Sequence, residues 1–230
     1  MPRLTFIGHA AFTLEHEGVV VAVDPFITGN PTATISADDL HPNVILVTHA
    51  HNDHVGDTVA LAKRTSAPVI CLNELADWLE SQGVEAIGGN LGGTVAFEGG
   101  TATFTLAWHT SSLVLEDGSV VASGVPAGFL VRLGEKKIYF AGDTALFLDM
   151  QLIGEEEPDV AVLPIGDHFT MGPKDAVRAA CFVRPRYVVP CHYDTFPTIE
   201  QDVEAFKKEV EEKTSAACVP LKPGESFEID

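Results

Sequence analysis

Long apolar runs are missing from this 230-residue chain. No stretch of about 18 apolar residues occurs, which predicts no transmembrane helix. Basic residues are scarce: 14 Lys and Arg stand against 33 Asp and Glu, a net charge of −19. A surface of that sign repels phosphate backbones, so no broad electrostatic binding to nucleic acid or to an anionic membrane is expected. Cysteines are few and scattered. Cys71, Cys181, Cys191 and Cys218 show no C-x-x-C spacing, and they read as reduced thiols of a cytoplasmic protein, not as a disulfide framework. Cys191, beside His192, reads as a half-buried small residue. The start, Met1-Pro2-Arg3-Leu4-Thr5-Phe6, has no apolar signal core and reads directly into a strand, so no secretory leader is expected. There is no linker-like break in composition and no short repeat. One domain over residues 1–230 is the expectation.

What the chain does have is a dense cluster of metal-binding side chains. Thr48-His49-Ala50-His51-Asn52-Asp53-His54 follows the apolar run Val44-Ile45-Leu46-Val47. Imidazole and carboxylate are the ligands of zinc and similar divalent ions. In extended backbone, residues two apart point to one side, so His49 and His51 can grip one metal together. Asp53 and His54 follow where the chain must turn and can serve a second metal. A solvated loop with chance histidines would account for one His but not for this spacing behind a strand.

Leu4 to Gly8, Ala11 to Leu14 and Val19 to Val23 read as strands, the last two a hairpin around a turn that leaves His16 exposed. Thr28 to His41 reads as a long loop, with His41 carrying no chemistry. Val44 to Thr48 is a buried strand. Thr58 to Arg64 and Glu74 to Ser81 read as helices, and Pro68 to Leu72 and Val84 to Ile87 as strands. Gly88 to Gly93 reads as an ordinary glycine-rich turn, since no helix follows to make a phosphate cradle. Strands are expected at Thr94 to Phe97, Thr101 to Trp108, Phe129 to Leu133, Lys137 to Phe140, Val160 to Ile165, Tyr187 to Pro190 and Ser226 to Ile229. Ser111 to Pro126 reads as a polar loop. Pro173 to Val183 and Glu200 to Lys213 read as helices, the first with proline in its opening turn. Two mixed sheets with helices on their outer faces would bury these runs, although periodicity alone does not select that layout.

His109, Asp143, His168 and His192 each lie at or just past the end of an expected strand. Strand ends on one edge of a sheet converge on one site. Seven candidate ligands follow: His49, His51, Asp53, His54, His109, Asp143 and His192. A catalytic zinc takes three protein ligands, so seven suit two metals about 3.5–4 Å apart.

In this order the motifs resemble the metallo-β-lactamase superfamily of hydrolases, over nearly the whole chain. Within it, the nearest resemblance is to small metal-dependent hydrolases related to the ascorbate-phosphate lactonases. Gly8-His9-Ala10, Asp24-Pro25, His109-Thr110-Ser111-Ser112, Gly142-Asp143-Thr144, His168-Phe169-Thr170-Met171-Gly172 and His192-Tyr193 support it. The resemblance implies an α/β fold, a four-layer αββα sandwich of two mixed sheets. It implies that His49, His51 and His109 hold one metal, that Asp53, His54 and His192 hold another, and that Asp143 bridges. It implies two divalent ions per chain, zinc first, with manganese or iron accepted by the same ligand types. Many true β-lactamases carry cysteine at the position matching Asp143. A carboxylate there fits lactonase, thioesterase or phosphodiesterase relatives better, and the extra C-terminal helical region of glyoxalase-type thioesterases is missing.

The expected activity is hydrolysis of a small-molecule lactone, ester or phosphodiester by a hydroxide held between two metals. Asp53 would orient the nucleophile as well as bind metal. His9 and His168 are candidates for substrate contact or proton donation. Asp24 would hydrogen-bond a ligand-bearing loop or a ligand histidine from behind, or else cap the Asp24-Pro25 turn. Thr170 and Met171 would line the pocket, and Trp108 would be core. Homo-oligomers are possible. A tRNA-processing-type nuclease shares the ligand motifs, but it needs a basic arm that this chain does not offer. A non-hydrolytic metal-binding or redox protein is the other alternative. Flavin-linked diiron relatives carry an acidic residue at the position matching His51 and a flavin domain, and this chain has neither.

Overall fold

The computed structural model describes residues 1–230. Three antiparallel strands come first: β1 (Arg3–Gly8), β2 (Ala11–His16) and β3 (Val19–Val23). Then β4 (Val44–Leu46), α1 (Asn52–Val55), α2 (Thr58–Thr65), β5 (Val69–Leu72), α3 (Asn73–Ser81) and β6 (Ala86–Gly89) extend the sheet by parallel additions. The second half opens with β7 (Thr94–Phe97) and β8 (Gly100–Leu106), followed by a small hairpin, β9 (Ser112–Val114) and β10 (Val120–Ala122). It continues with β11 (Ala127–Leu133), β12 (Lys136–Phe140), α4 (Met150–Glu155), β13 (Val160–Pro164), α5 (Pro173–Val183), β14 (Tyr187–Cys191), α6 (Val203–Lys213) and β15 (Ala217–Cys218). The final strand, β16 (Ser226–Glu228), returns to pair with β1. The two mixed sheets run β16-β1-β2-β3-β4-β5-β6 and β15-β14-β13-β12-β11-β8-β7.

The period-two pattern of the strands explains the layering. Along β4 and β5, Val44, Leu46, Ile70 and Leu72 face the other sheet, while Ile45, Val47, Val69 and Cys71 face α2 and α3. The second sheet divides the same way: Ile138, Phe140, Val160 and Val162 point inward, and Tyr139, Ala161 and Leu163 point toward α5 and α6. The inner layer also joins Phe12, Phe104 and Phe129, all fully buried. Strands apolar on both faces are what a sheet covered on both sides requires. α5 starts on Pro173, whose fixed φ suits a first turn, and buries Ala176, Val177, Ala180 and Val183 on one stripe. The result is the four-layer αββα sandwich. No helix is long and apolar enough to cross a membrane.

Several local expectations need correction. Ser111 to Pro126 is not all loop, because the short strands β9 and β10 pair within it. Asp117-Gly118 between the apolar runs Leu113-Val114-Leu115 and Val120-Val121 forms the hairpin turn, and the Asn52 amide fastens it by donating to the Val114 carbonyl and accepting from the Val114 N–H. Gly88 and Gly89 belong to β6 instead of a turn. A Cβ at Gly89 would lie 2.2 Å from the Phe104 ring, so glycine is needed there for close packing. His16 ends β2 and is half-buried. Cys191 is buried, not half-exposed. Met171 is core, whereas Trp108 is 63% exposed, because β8 ends at Leu106 and Trp108 rides on the loop beyond. The α6 helix starts at Val203, where the Asp202 carboxylate caps the Ala205 N–H, later than the expected Glu200. α4 and β15 were not foreseen; each is short, with little periodicity to detect.

Both sheets present the C-terminal ends of β1, β3, β4, β8, β12, β13 and β14 along one edge. β1, β3 and β4 point one way in the first sheet, and β8, β12, β13 and β14 share a direction in the second. The residues just past those ends build the site.

Candidate metal centre

Val44–Leu46 is too apolar and too deeply buried to move, so it delivers Thr48 and the histidine motif to a fixed point. His51 has extended backbone and precedes the single turn of α1, which carries Asp53 and His54 round to a new direction. Gly56 ends that turn with φ +43. A Cβ there would lie 2.5 Å from Phe26 Cα and 2.6 Å from the Pro25 oxygen. The motif loop is therefore pressed against the loop that follows β3. Asp57 ties the same two loops by accepting from the Ile27 and Thr28 N–H groups.

The ligand-type atoms gather in three groups, two of them linked by the third, which is His49, His54 and Asp143. His49, His51 and His109 bring one nitrogen each within 4.8 Å of one another, and so do the donor atoms of His9, Asp53, His54 and His192. Asp143 stands between the groups, with its oxygens 4.0 Å from His49 Nε2, 3.4 Å from His54 Nε2, 3.6 Å from His109 Nε2 and 3.1 Å from His192 Nε2. His168 lies outside this gathering. It is exposed at the tip of the turn after β13, its ring edge-on to Phe169.

Hydrogen bonds from behind fix which nitrogen each ring turns inward. His54 Nδ1–H donates to Asp24 Oδ2 at 2.8 Å, which turns Nε2 toward Asp143. The Thr48 hydroxyl donates to Asp24 at 2.7 Å, so it accepts from His49 Nδ1–H at 3.0 Å, and His49 Nε2 is left bare. Asp24, which also accepts from the Thr48 N–H, thus orients two rings at once. On the other flank His9 Nε2–H donates to Asp53 Oδ2 at 3.0 Å, and His9 Nδ1 accepts from the Thr195 hydroxyl at 2.9 Å. The His192 N–H donates to the His9 carbonyl at 2.7 Å, stitching the sheets together at the site. His9, Asp24 and His192 all adopt positive φ, a strained setting for non-glycine residues that the dense bonding holds in place.

These observations test whether the residues fit a metal. His54 Nε2 and Asp143 Oδ1 are buried, face each other and have no hydrogen-bond partner, a costly arrangement for polar atoms. His51 Nδ1 lies 3.0 Å from His49 Nε2 and 3.3 Å from His109 Nε2. Nitrogens bonded tetrahedrally to one ion at about 2.0–2.1 Å are separated by about 3.3 Å, so the spacing suits a shared ion. Burial holds His49, His51 and His109 below the ordinary histidine pKa, toward the neutral form that ligates. Burial pushes the Asp143 carboxyl up, but His192 and His54 outweigh it and hold the group well below its usual range. Burial pushes His54 down, and Asp143 with Asp24 overrides that and raises it. The donor set fits a divalent metal of the zinc class.

Sequence reasoning missed Thr195, which follows His192 by three residues without any pattern to mark it, and the clamp formed by Asn52. The sequence shows Ser111 only as part of the motif after His109, and its role comes from the structure: its hydroxyl accepts from the Ala50 N–H inside the metal-binding motif and bonds Ser123.

The chain matches the Beta-lactamase superfamily domain over residues 3–192. It is 51% identical over 229 residues to a UPF0173 metal-dependent hydrolase of Methanopyrus kandleri, covering 98% of this chain and 99% of that one. A UPF0173 metal-dependent hydrolase of Thermus thermophilus is 48% identical, with both chains covered completely. Among solved structures, Igni18, a metallo hydrolase from the archaeon Ignicoccus hospitalis, superposes with a TM-score of 0.89 at 38% identity, covering 100% of this chain and 99% of its own.

Proposed function

This chain belongs to the β-lactamase superfamily and is a metal-dependent hydrolase, and we propose that it works with two divalent ions, zinc first, on a small-molecule lactone, ester or phosphodiester. The observation that carries this reading is Asp143, buried between two histidine groups with an oxygen left unpartnered. In this proposal His49, His51 and His109 hold one ion, Asp53, His54 and His192 hold the other, and Asp143 touches both. A bound ion pair supplies a water of lowered pKa as nucleophile and positive charge beside the electrophilic oxygen.

The chain's own residues do the rest. Asp24 and Thr48 keep His54 and His49 in the tautomers that face inward. His9 holds its proton at Nε2 against Asp53, and Thr195 locks that ring from the other side. The His9 side chain is wholly buried, so it acts on a substrate only through Asp53, which it orients and whose charge it steadies. His168, exposed on its turn, is the group free to meet a leaving oxygen. The four unpaired cysteines fit a reducing, cytoplasmic setting.

The test is elemental analysis alongside a hydrolysis panel of lactones, thioesters, β-lactams and phosphodiesters. Chelated protein should be inactive and regain turnover at two metals per chain. Full activity with less than one equivalent would overturn the proposal. His51→Ala should lower turnover by several orders of magnitude with an unchanged circular dichroism spectrum, since His51 is only half-buried and stands outside the apolar core.

A further inference from the structure

The loops around the metal-binding cluster contain no cation. All 14 Lys and Arg fall outside residues 24–62, 107–126, 141–149, 165–172 and 191–202, the segments that carry or flank the candidate ligands. Those same segments hold Asp149, Asp167, Asp194, Glu116 and Asp117 as exposed or half-exposed acids. They also hold aromatic side chains that the core does not absorb. Phe196 is 38% exposed with its ring 5.7 Å from His9, and Phe26 stands edge-on to the same imidazole at 5.9 Å. Trp108, next to His109, is 63% exposed.

These aromatics sit on stiff supports. Phe26 is pinned by the contact of Gly56 and by Asp57. The loop after Phe196 is closed by the Ile199 N–H on the Phe196 carbonyl and by the Asp194 N–H on the Ile199 carbonyl. The Trp108 N–H donates to Thr144 Oγ1 and its carbonyl accepts from the Ala145 N–H, both beside Asp143. Loops held this firmly are suited to presenting side chains to a ligand, because little backbone freedom remains to be lost. An acidic rim without one Lys or Arg repels carboxylate and phosphate groups beyond the one atom a metal would hold. Aromatic faces offer apolar area instead.

From this geometry, and resting on the hydrolase reading above, we propose that the site takes uncharged carbonyl esters or lactones with an apolar flank, and that Phe196, with Phe26 and Trp108, forms the wall against which that flank packs. Phosphodiesters and anionic esters are poor substrates.

The experiment compares matched probes on the metal-loaded protein: p-nitrophenyl valerate against the mono-p-nitrophenyl ester of glutarate, with p-nitrophenyl acetate and bis(p-nitrophenyl) phosphate alongside. The neutral valerate should exceed the glutarate in kcat/KM by about ten-fold or more. Phe196→Ala should raise KM for valerate about three- to ten-fold and for the acetate, which has no flank to pack, by a smaller factor. A second readout needs no turnover. Ligand-observed NMR should show benzylacetone binding about ten-fold more tightly than 4-(3-oxobutyl)benzoate, with and without metal. Equal or better handling of the anionic probes, or a valerate preference unchanged in Phe196→Ala, would overturn the proposal. Turnover of the phosphodiester alone would overturn it while leaving a hydrolase. The expected NMR preference with no hydrolysis of any probe would keep the wall and bring down the hydrolase reading.

Discussion

At the scale of single residues, the site depends on side chains that stand behind the candidate ligands and decide how they point. Asp24 accepts three hydrogen bonds and sets two imidazoles, and Thr195 does the corresponding work for His9. His9 also predicts a pH dependence. Burial, aided by neighbouring His192 and His54, pulls its pKa down from 6.5 to about 4, against the pull of Asp53. The unfolded chain then binds the proton more tightly than the folded one. The associated stability is complete above pH 6.5 and is lost as pH falls toward 4. In metal-free protein His9→Asn, which tolerates the positive φ, should remove part of that loss. Urea unfolding at pH 7 and at about pH 4.5 should show a fall for the parent that exceeds the variant's by about 2–3 kcal/mol. Equal falls would mean that His9 is protonated as easily in the fold as outside it.

At the scale of elements, the histidine motif is a strand followed by one helical turn, and Gly56 is where its shape is settled. No other residue accepts φ +43 with the Phe26 backbone so close. Gly56→Ala should cost about 2–4 kcal/mol through strain and overlap. It should also push the motif loop off its neighbour and so weaken metal uptake. Thermal unfolding with metal analysis would check both, and a variant with parental stability and full metal content would refute the packing account. The β9–β10 hairpin makes the complementary point. Asp117-Gly118 between Leu113-Val114-Leu115 and Val120-Val121 is a local hairpin signal, while the bonds of Asn52 and Ser111 that fasten the hairpin to the motif are long-range.

At the scale of the whole molecule, alternation along every central strand divides the apolar residues among three layers of core. That division places Cys71, Cys191 and Cys218 inside and leaves Cys181 exposed on α5. Burial raises the three inner thiols, Cys218 to about 12. A thiol reagent at pH 8 should therefore modify one cysteine per native chain and all four in denaturant. More than one fast-reacting thiol in the native protein would contradict the layering.

The amino-acid sequence by itself determined most of the strand pattern, the acid-rich surface and the ligand-type residues at the strand ends. These features are local or compositional: alternation writes which faces are buried, and H-x-H-x-D-H is contiguous. Tertiary structure alone decided what depends on residues distant in the chain. It set the pairing of the two mixed sheets, brought Asp143 between two histidine groups, closed Thr195 onto His9, and put Met171 in the core and Trp108 in solvent. The physical reason is that contact energy depends on distance in space, whereas periodicity records only distance along the chain.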